Sequence, residues 1–166
     1  ALRHMGEQAG MPLKVLTAVD EVNDRQKLVM VDKIVAKYGE DLTGKTFALW
    51  GLAFKPQTDD MREAPSIFIA KGLLDRGAKV RATDPEAMKT ARAVIDERAE
   101  LMDDPYETLD GADALVVVTE WNEYRRPDFK RIKALLETPC VFDGRNVFNP
   151  ERMREMGFDY ACIGRA

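Results

Sequence analysis

The chain has 166 residues, 45% hydrophobic and 33% charged, with 25 basic against 29 acidic side chains and a net charge of −4. That suffices for one well-buried α/β domain with an appendage, and the acidic balance argues against nucleic acid as a partner. No apolar run approaches the roughly 20 residues that span a membrane, no signal peptide is visible, and two cysteines, Cys140 and Cys162, fit a reduced cytoplasmic protein better than a disulfide scaffold.

In chain order, a short helix is predicted over residues 2–9, carrying the only histidine, His4, read as a surface residue. Met11-Pro12 breaks it. From Leu13 to Tyr38 there is neither Gly nor Pro, and Val15, Val19, Val22, Val29 and Ile34 fall near one face at helical spacing. Gly39 is the predicted stop. A helix of about 26 residues measures about 39 Å, more than a small sheet needs for cover, so it reads as a connector or an oligomer spine. Residues 41–45 then turn into a strand–helix alternation. Strands are predicted at 46–50, 79–83, 100–102, 114–118, 141–142 and 160–163, and helices at 65–76, 86–97, 105–109, 128–137 and 150–156. Such alternation implies parallel strands, right-handed crossovers and helices on both faces. Ala114 to Val118 is continuously apolar, as a central strand covered on both sides must be. The expected fold is α/β: a Rossmann-like doubly wound parallel sheet over residues 41–166, preceded by a helical region, residues 1–40, ending in the long connecting helix.

The densest chemical signal is Gly51 to Ser66, which reads G-L-A-F-K-P-Q-T-D-D-M-R-E-A-P-S. A buried strand stops at Gly51, a charged loop follows, and Pro65 opens a helix at the position where its missing N–H costs nothing. Strand ends before helices are where open α/β sheets bind ligands, and helix N-termini favour anions. With Lys55 and Arg62 nearby, the segment reads as a site for a phosphate-bearing small molecule. Lys55 precedes Pro56 and is therefore extended; it reaches a phosphate or sugar oxygen, or it is a solvated lysine. Arg62 reaches a ligand or pairs with Asp59, Asp60 or Glu63. At a later strand end, Asp143-Gly144-Arg145-Asn146, Gly144 permits a turn closed to other residues. Arg145 can fork onto two oxygens such as ribose hydroxyls, or pair with Asp143. After the strand at 114–118, Glu120 organises its loop, and Trp121 covers the sheet edge rather than stacking on a ligand.

Some features are missing. The first strand is not followed by G-x-G-x-x-G, so a pyrophosphate lacks the tight glycine turn. Asp84, at the end of the second strand, stands where dinucleotide folds keep a ribose-binding acid, but in Asp84-Pro85 it reads better as a turn former. No zinc spacing exists.

The 51–66 loop, Thr119-Glu120-Trp121 and Asp143-Gly144-Arg145-Asn146 together resemble the UDP-glucose/GDP-mannose dehydrogenase family, in family order, at three strand ends and over essentially the whole chain. The loop and the Glu-Trp pair look closer to the UDP-glucose branch than to the mannose branch. The resemblance implies the C-terminal part of an enzyme that converts UDP-glucose to UDP-glucuronate with two NAD. It implies that Phe54 and Lys55 contact the UDP-sugar, that Arg145 reaches the UDP ribose, and that Arg62 reaches NAD held mainly by a preceding domain. It also implies a homodimer built through the long helix. The family's catalytic cysteine belongs to a Gly-Gly-Ser-Cys-Phe-x-Lys-Asp segment that this chain lacks. Cys140 and Cys162 are therefore read as core residues, no catalytic residue is assigned, and the isolated chain is expected to be inactive. A GDP-mannose or UDP-N-acetylmannosamine dehydrogenase fragment, or a stand-alone nucleotide-binding or scaffolding module, remains an alternative.

Overall fold

Parallel strands form a single sheet: β1 (Thr46–Trp50), β2 (Lys79–Thr83), β3 (Glu100–Leu101), β4 (Ala114–Val117), β5 (Cys140–Asp143) and β6 (Asp159–Cys162). Their order is β3-β2-β1-β4-β5-β6. These come from a computed structural model that describes Met5, Gln8, Gly10, Met11 and residues 13–165. The helix expected over residues 2–9, with His4 and Pro12, falls mostly outside the described residues. Strand order reverses between β1 and β4, so the chain leaves those neighbours in opposite directions and opens a crevice at their C-terminal ends.

The helices are α1 (Lys14–Tyr38), α2 (Pro65–Leu74), α3 (Met88–Val94), α4 (Phe129–Leu135) and α5 (Pro150–Glu155). Most are shorter than the sequence suggested, and local side chains set where three of them start. Asp84 accepts the Glu86 and Ala87 N–H groups in a turn, which delays α3. Asp128 and Asn149 cap α4 and α5 by accepting the Arg131 and Arg152 N–H groups. The helix expected at 105–109 is only a 3₁₀ turn, Glu107–Leu109, and a second 3₁₀ turn, Asn122–Arg125, was not foreseen.

Right-handed crossovers put α2 and α3 on one face and α4 and α5 on the other. That winding supplies no helix over β4 and β5 on the α2 face, and a parallel sheet must be covered on both faces. The C-terminal half of α1 fills the gap. Met30, Val31 and Ile34 are buried there. Val31 presses so closely on α2 that a Cβ added to Gly72 would lie 2.9 Å from its methyl group. The Tyr38 ring meets Phe47 edge-on at 5.6 Å and lies 6.4 Å from Phe142, while its hydroxyl donates to the Asp113 carbonyl at 3.1 Å.

The face grouped from sequence therefore divides. Ile34 is fully buried, Val29 is half-buried, and Val15, Val19 and Val22 are 77%, 48% and 52% exposed. With 3.6 residues per turn, Ile34 lies about 100° around the axis from the line through Val15 and Val22. Ile34→Ala should cost about 2–5 kcal/mol in urea unfolding, whereas Val15→Ala should change stability by less than about 0.5 kcal/mol.

Candidate functional site

The crevice between β1 and β4 is closed by the protein itself. Gly51 ends β1 with φ +92°, and a Cβ there would lie 2.5 Å from that of Thr119, so only glycine fits. The Thr119 hydroxyl donates to the Ala53 carbonyl at 2.6 Å, and the Ser66 hydroxyl donates to that of Leu52 at 2.5 Å. Asp84 is 3% exposed. One of its carboxylate oxygens accepts Leu52 N–H at 2.6 Å, Ala53 N–H at 3.0 Å and the Trp121 indole N–H at 3.0 Å. The other accepts Glu86 and Ala87 N–H groups at 2.9 and 2.8 Å. The turn role expected of Asp84 holds, and three further donors join it. Trp121 is a buried cover, as expected. With Asp84 taken up by five internal donors and no glycine turn, the residues at this crevice do not fit NAD.

The open cavity lies beside the crevice, under the N-terminal half of α1, with a volume of about 1040 Å³. From α1 it is lined by Asp20, Asn23, Asp24, Gln26, Lys27 and Met30. Phe54, Glu63, Pro65 and Ile69 follow from the β1–α2 segment, and Val118, Glu120 and Arg125 from the segment after β4. Gly144, Arg145, Asn146 and Ile163 complete it from the ends of β5 and β6.

Two of the four site residues read from sequence meet here. Phe54, half exposed, and Arg145 both line the cleft. Arg145 forks onto Glu120, its Nε donating to one carboxylate oxygen and its terminal nitrogen to the other at 3.0 Å. Its partner is Glu120, not Asp143, whose buried carboxylate is taken up by the Arg145 and Phe148 N–H groups and the Tyr160 hydroxyl. Gly144 is required for close approach rather than for an unusual φ: a Cβ would lie 3.0 Å from the Val117 carbonyl and 3.3 Å from Met30. The left-handed residue of this turn is Asn146, at φ +55°, fixed by two hydrogen bonds to the Ile163 backbone.

Lys55 and Arg62 point elsewhere. Lys55 is exposed and does not line the cleft. Arg62 is exposed and forks onto Asp60, its terminal nitrogen 2.7 Å from the carboxylate. That hydrogen bond, with the Arg62 and Lys55 charges behind it, holds the Asp60 carboxyl at about 2.

Lys27 was not singled out from sequence, and its ammonium is the most enclosed cation of the cleft. It lies 2.5 Å from Glu63 and 3.1 Å from Asp24, and 4.5 Å above the Phe68 ring. Its hydrogen bond to Glu63 outweighs burial and raises its pKa. Its helical spacing to Met30, Val31 and Ile34 was the available signal. Glu63 reaches it from a left-handed backbone, φ +58°. Arg125 was also missed, since nothing in the sequence marked its 3₁₀ turn. Among the described residues its side chain has no ion pair or hydrogen bond. The cleft thus holds four acids and three cations, and two of the cations, Lys27 and Arg145, are already paired. An incoming anion must either displace a carboxylate or engage Arg125.

Comparison with known families matches residues 48–150 to the UDP-glucose/GDP-mannose dehydrogenase family, UDP binding domain. The chain belongs to this family. A UDP-glucose 6-dehydrogenase of Pseudomonas aeruginosa is 46% identical over 170 residues, covering 99% of this chain and 38% of that protein. One from Rhizobium meliloti is 42% identical over 165 residues, with the same coverage of each. Among solved structures, a UDP-glucose dehydrogenase from Pyrobaculum islandicum superposes with a TM-score of 0.79 at 34% identity, covering 97% of this chain and 34% of that one. The chain spans about 38% of the length of the curated relatives it matches. Within this family domain, the matched stretch includes Phe54, Lys55, Arg62, Asp84, Trp121 and Arg145.

Glu120 gives the site a pH signature. Burial pushes its carboxyl up, but the Arg145 hydrogen bond, its own backbone N–H and the Arg145 and Arg125 charges outweigh this, so it sits below its ordinary 4.5. A depressed carboxyl stabilises the fold above its unfolded value and loses that contribution as pH falls through the folded one. Glu120→Gln should therefore be less stable than the parent near pH 7, with the gap closing in chemical denaturation as pH falls below the ordinary carboxyl value through the lower folded one.

Proposed function

We propose that this chain is the UDP-sugar-binding, C-terminal portion of a UDP-glucose 6-dehydrogenase, the enzyme converting UDP-glucose to UDP-glucuronate with two NAD. The observation that carries the reading is the meeting of Phe54 and Arg145, from separate strand ends, in one large cleft at the C-terminal edge of the sheet. Arg145 forks onto ribose oxygens after exchanging them for Glu120, and Phe54 offers an aromatic wall. Lys55 swings toward the diphosphate, and Arg62 reaches NAD held by another domain. The names of the P. aeruginosa and R. meliloti relatives support UDP-glucose over GDP-mannose.

In this reading the chain binds and orients, and contributes to a barrier without touching the reacting bond. Alone it is inactive. Cys140 and Cys162 are both buried free thiols, which suits neither to nucleophilic attack, and burial pushes Cys140 up to about 11. Among the described residues no helix is long and apolar enough to cross a membrane, and the proposed location is the cytoplasm.

Calorimetric titration with UDP, UDP-glucose, GDP-mannose and NAD tests the reading. UDP should bind more tightly than GDP-mannose or NAD, and Arg145→Ala should weaken it by about 10- to 150-fold, the value of a charge-assisted contact of about 1.5–3 kcal/mol. An unchanged dissociation constant removes Arg145 from the site. Appearance of NADH on mixing the chain with UDP-glucose and NAD would overturn the assignment of inactivity.

The homodimer belongs to the same proposal. Val15, Val19 and Val22 form an exposed stripe on α1 that the chain's own sheet does not cover. Sedimentation at micromolar concentration should show self-association that Val19→Glu with Val22→Glu abolishes. A monomer indifferent to both changes would exclude the helix as an interface.

A further inference from the structure

The buried Asp84 carboxylate stands where a dinucleotide-binding sheet keeps the acid that holds a ribose, yet all its contacts are internal. It accepts hydrogen bonds from two separate parts of the cleft's frame. The first is the backbone of Leu52 and Ala53, immediately before Phe54. The second is the Trp121 indole, immediately after Glu120, which holds Arg145. Trp121 is anchored in turn through its own backbone, its N–H on the Thr119 carbonyl and its carbonyl taking the Tyr124 N–H. We propose that Asp84 is a positioning residue that sets Phe54 and Arg145 relative to each other, with the Trp121 indole seated where a dinucleotide-binding sheet would hold a ribose.

The reasoning is geometric. One carboxylate oxygen shared by two loops leaves neither free to move without abandoning a buried acceptor, and a buried carboxylate without its donors is costly. The Ala53 segment is further tied to the same loop by the Thr119 hydroxyl. The walls carrying Phe54 and Glu120–Arg145 thus move together or not at all. The same contacts exclude a dinucleotide from this crevice, because the donor that would come from a ribose hydroxyl comes from Trp121.

Trp121→Phe, which keeps a ring but removes the indole N–H, is the deciding variant, and Asp84→Asn is its companion. The first measurement is hydrogen exchange in the full chain without ligand. Removing the indole N–H should speed exchange about tenfold in peptides spanning residues 51–54 and 144–147 together, with β3 unchanged. The second, which rests on the proposed UDP reading, is UDP affinity. Each variant should bind about tenfold more weakly, and the double variant should lose less than the product of the two single losses, since both act on the same indole–carboxylate contact. Faster exchange at only one wall, uniform loosening of the whole sheet, or independent multiplication of the two affinity losses would overturn the proposal. Should Asp84→Asn fail to fold, the exchange pattern of Trp121→Phe decides by itself. Should the parent chain not bind UDP, the functional reading fails while the exchange pattern still settles the brace.

Discussion

A parallel sheet has to be covered on both faces, and everything distinctive about this domain follows from how that requirement is met. The crossovers cover one face completely and leave the other bare over β4 and β5. Helix α1 closes the gap with Met30, Val31 and Ile34 against Gly72 of α2 and the β5 side of the sheet. A helix of 25 residues is about 37 Å long, and only its second half is used for cover. The first half therefore runs past the C-terminal ends of the strands and becomes the wall of the cleft.

That arrangement accounts for the displaced position of the cleft. In an open α/β sheet the ligand belongs at the point where strand order reverses. Here the Gly51–Thr119 contact, Trp121 and Asp84 occupy that point, and the free volume lies to one side, bounded by α1 and the ends of β4, β5 and β6. Two of the buried carboxylates, Asp84 and Asp143, do similar work in separate turns. Asp84 gathers the loops after β1, β2 and β4, and Asp143 folds the turn after β5 that presents Arg145. Each is satisfied by neutral donors, so each fixes backbone geometry without needing a counter-charge.

Much of this was legible in the sequence, for identifiable reasons. All six strands, β3 included, were placed to within a residue at each end, and the alternation with helical segments fixed the parallel topology. Pro65 and Gly39 marked element ends correctly. Arg145 was singled out because strand ends are where such sheets bind ligands, Phe54 only through the family resemblance, and both line the cleft. What could not be read was pairing between segments distant in sequence. Nothing local says that Arg145 takes Glu120 rather than Asp143, or that Lys27 meets Glu63 across 36 residues. Similarly, a valine line at helical spacing cannot reveal which side of the helix meets the sheet. Ile34 was grouped with Val15 as near one face, although 19 residues at 100° each set it about 100° away, and the packing of Met30 and Val31 shows the buried side to be rotated from the valine line.

The wall of the cleft and the exposed valines share the first half of α1 on adjoining sides. Asp20, Asn23, Asp24 and Lys27 face the cavity, while Val15, Val19 and Val22 face outward. Among the described residues that half buries no side chain, and the Lys27–Glu63 pair ties the rod to the body beside it. Whatever clasps the valine side restricts the same rod that bounds the ligand. Occupancy of one side then biases the other, and linkage makes the effect mutual: a ligand that favours one setting of the rod strengthens the clasp by the same factor by which the clasp strengthens the ligand.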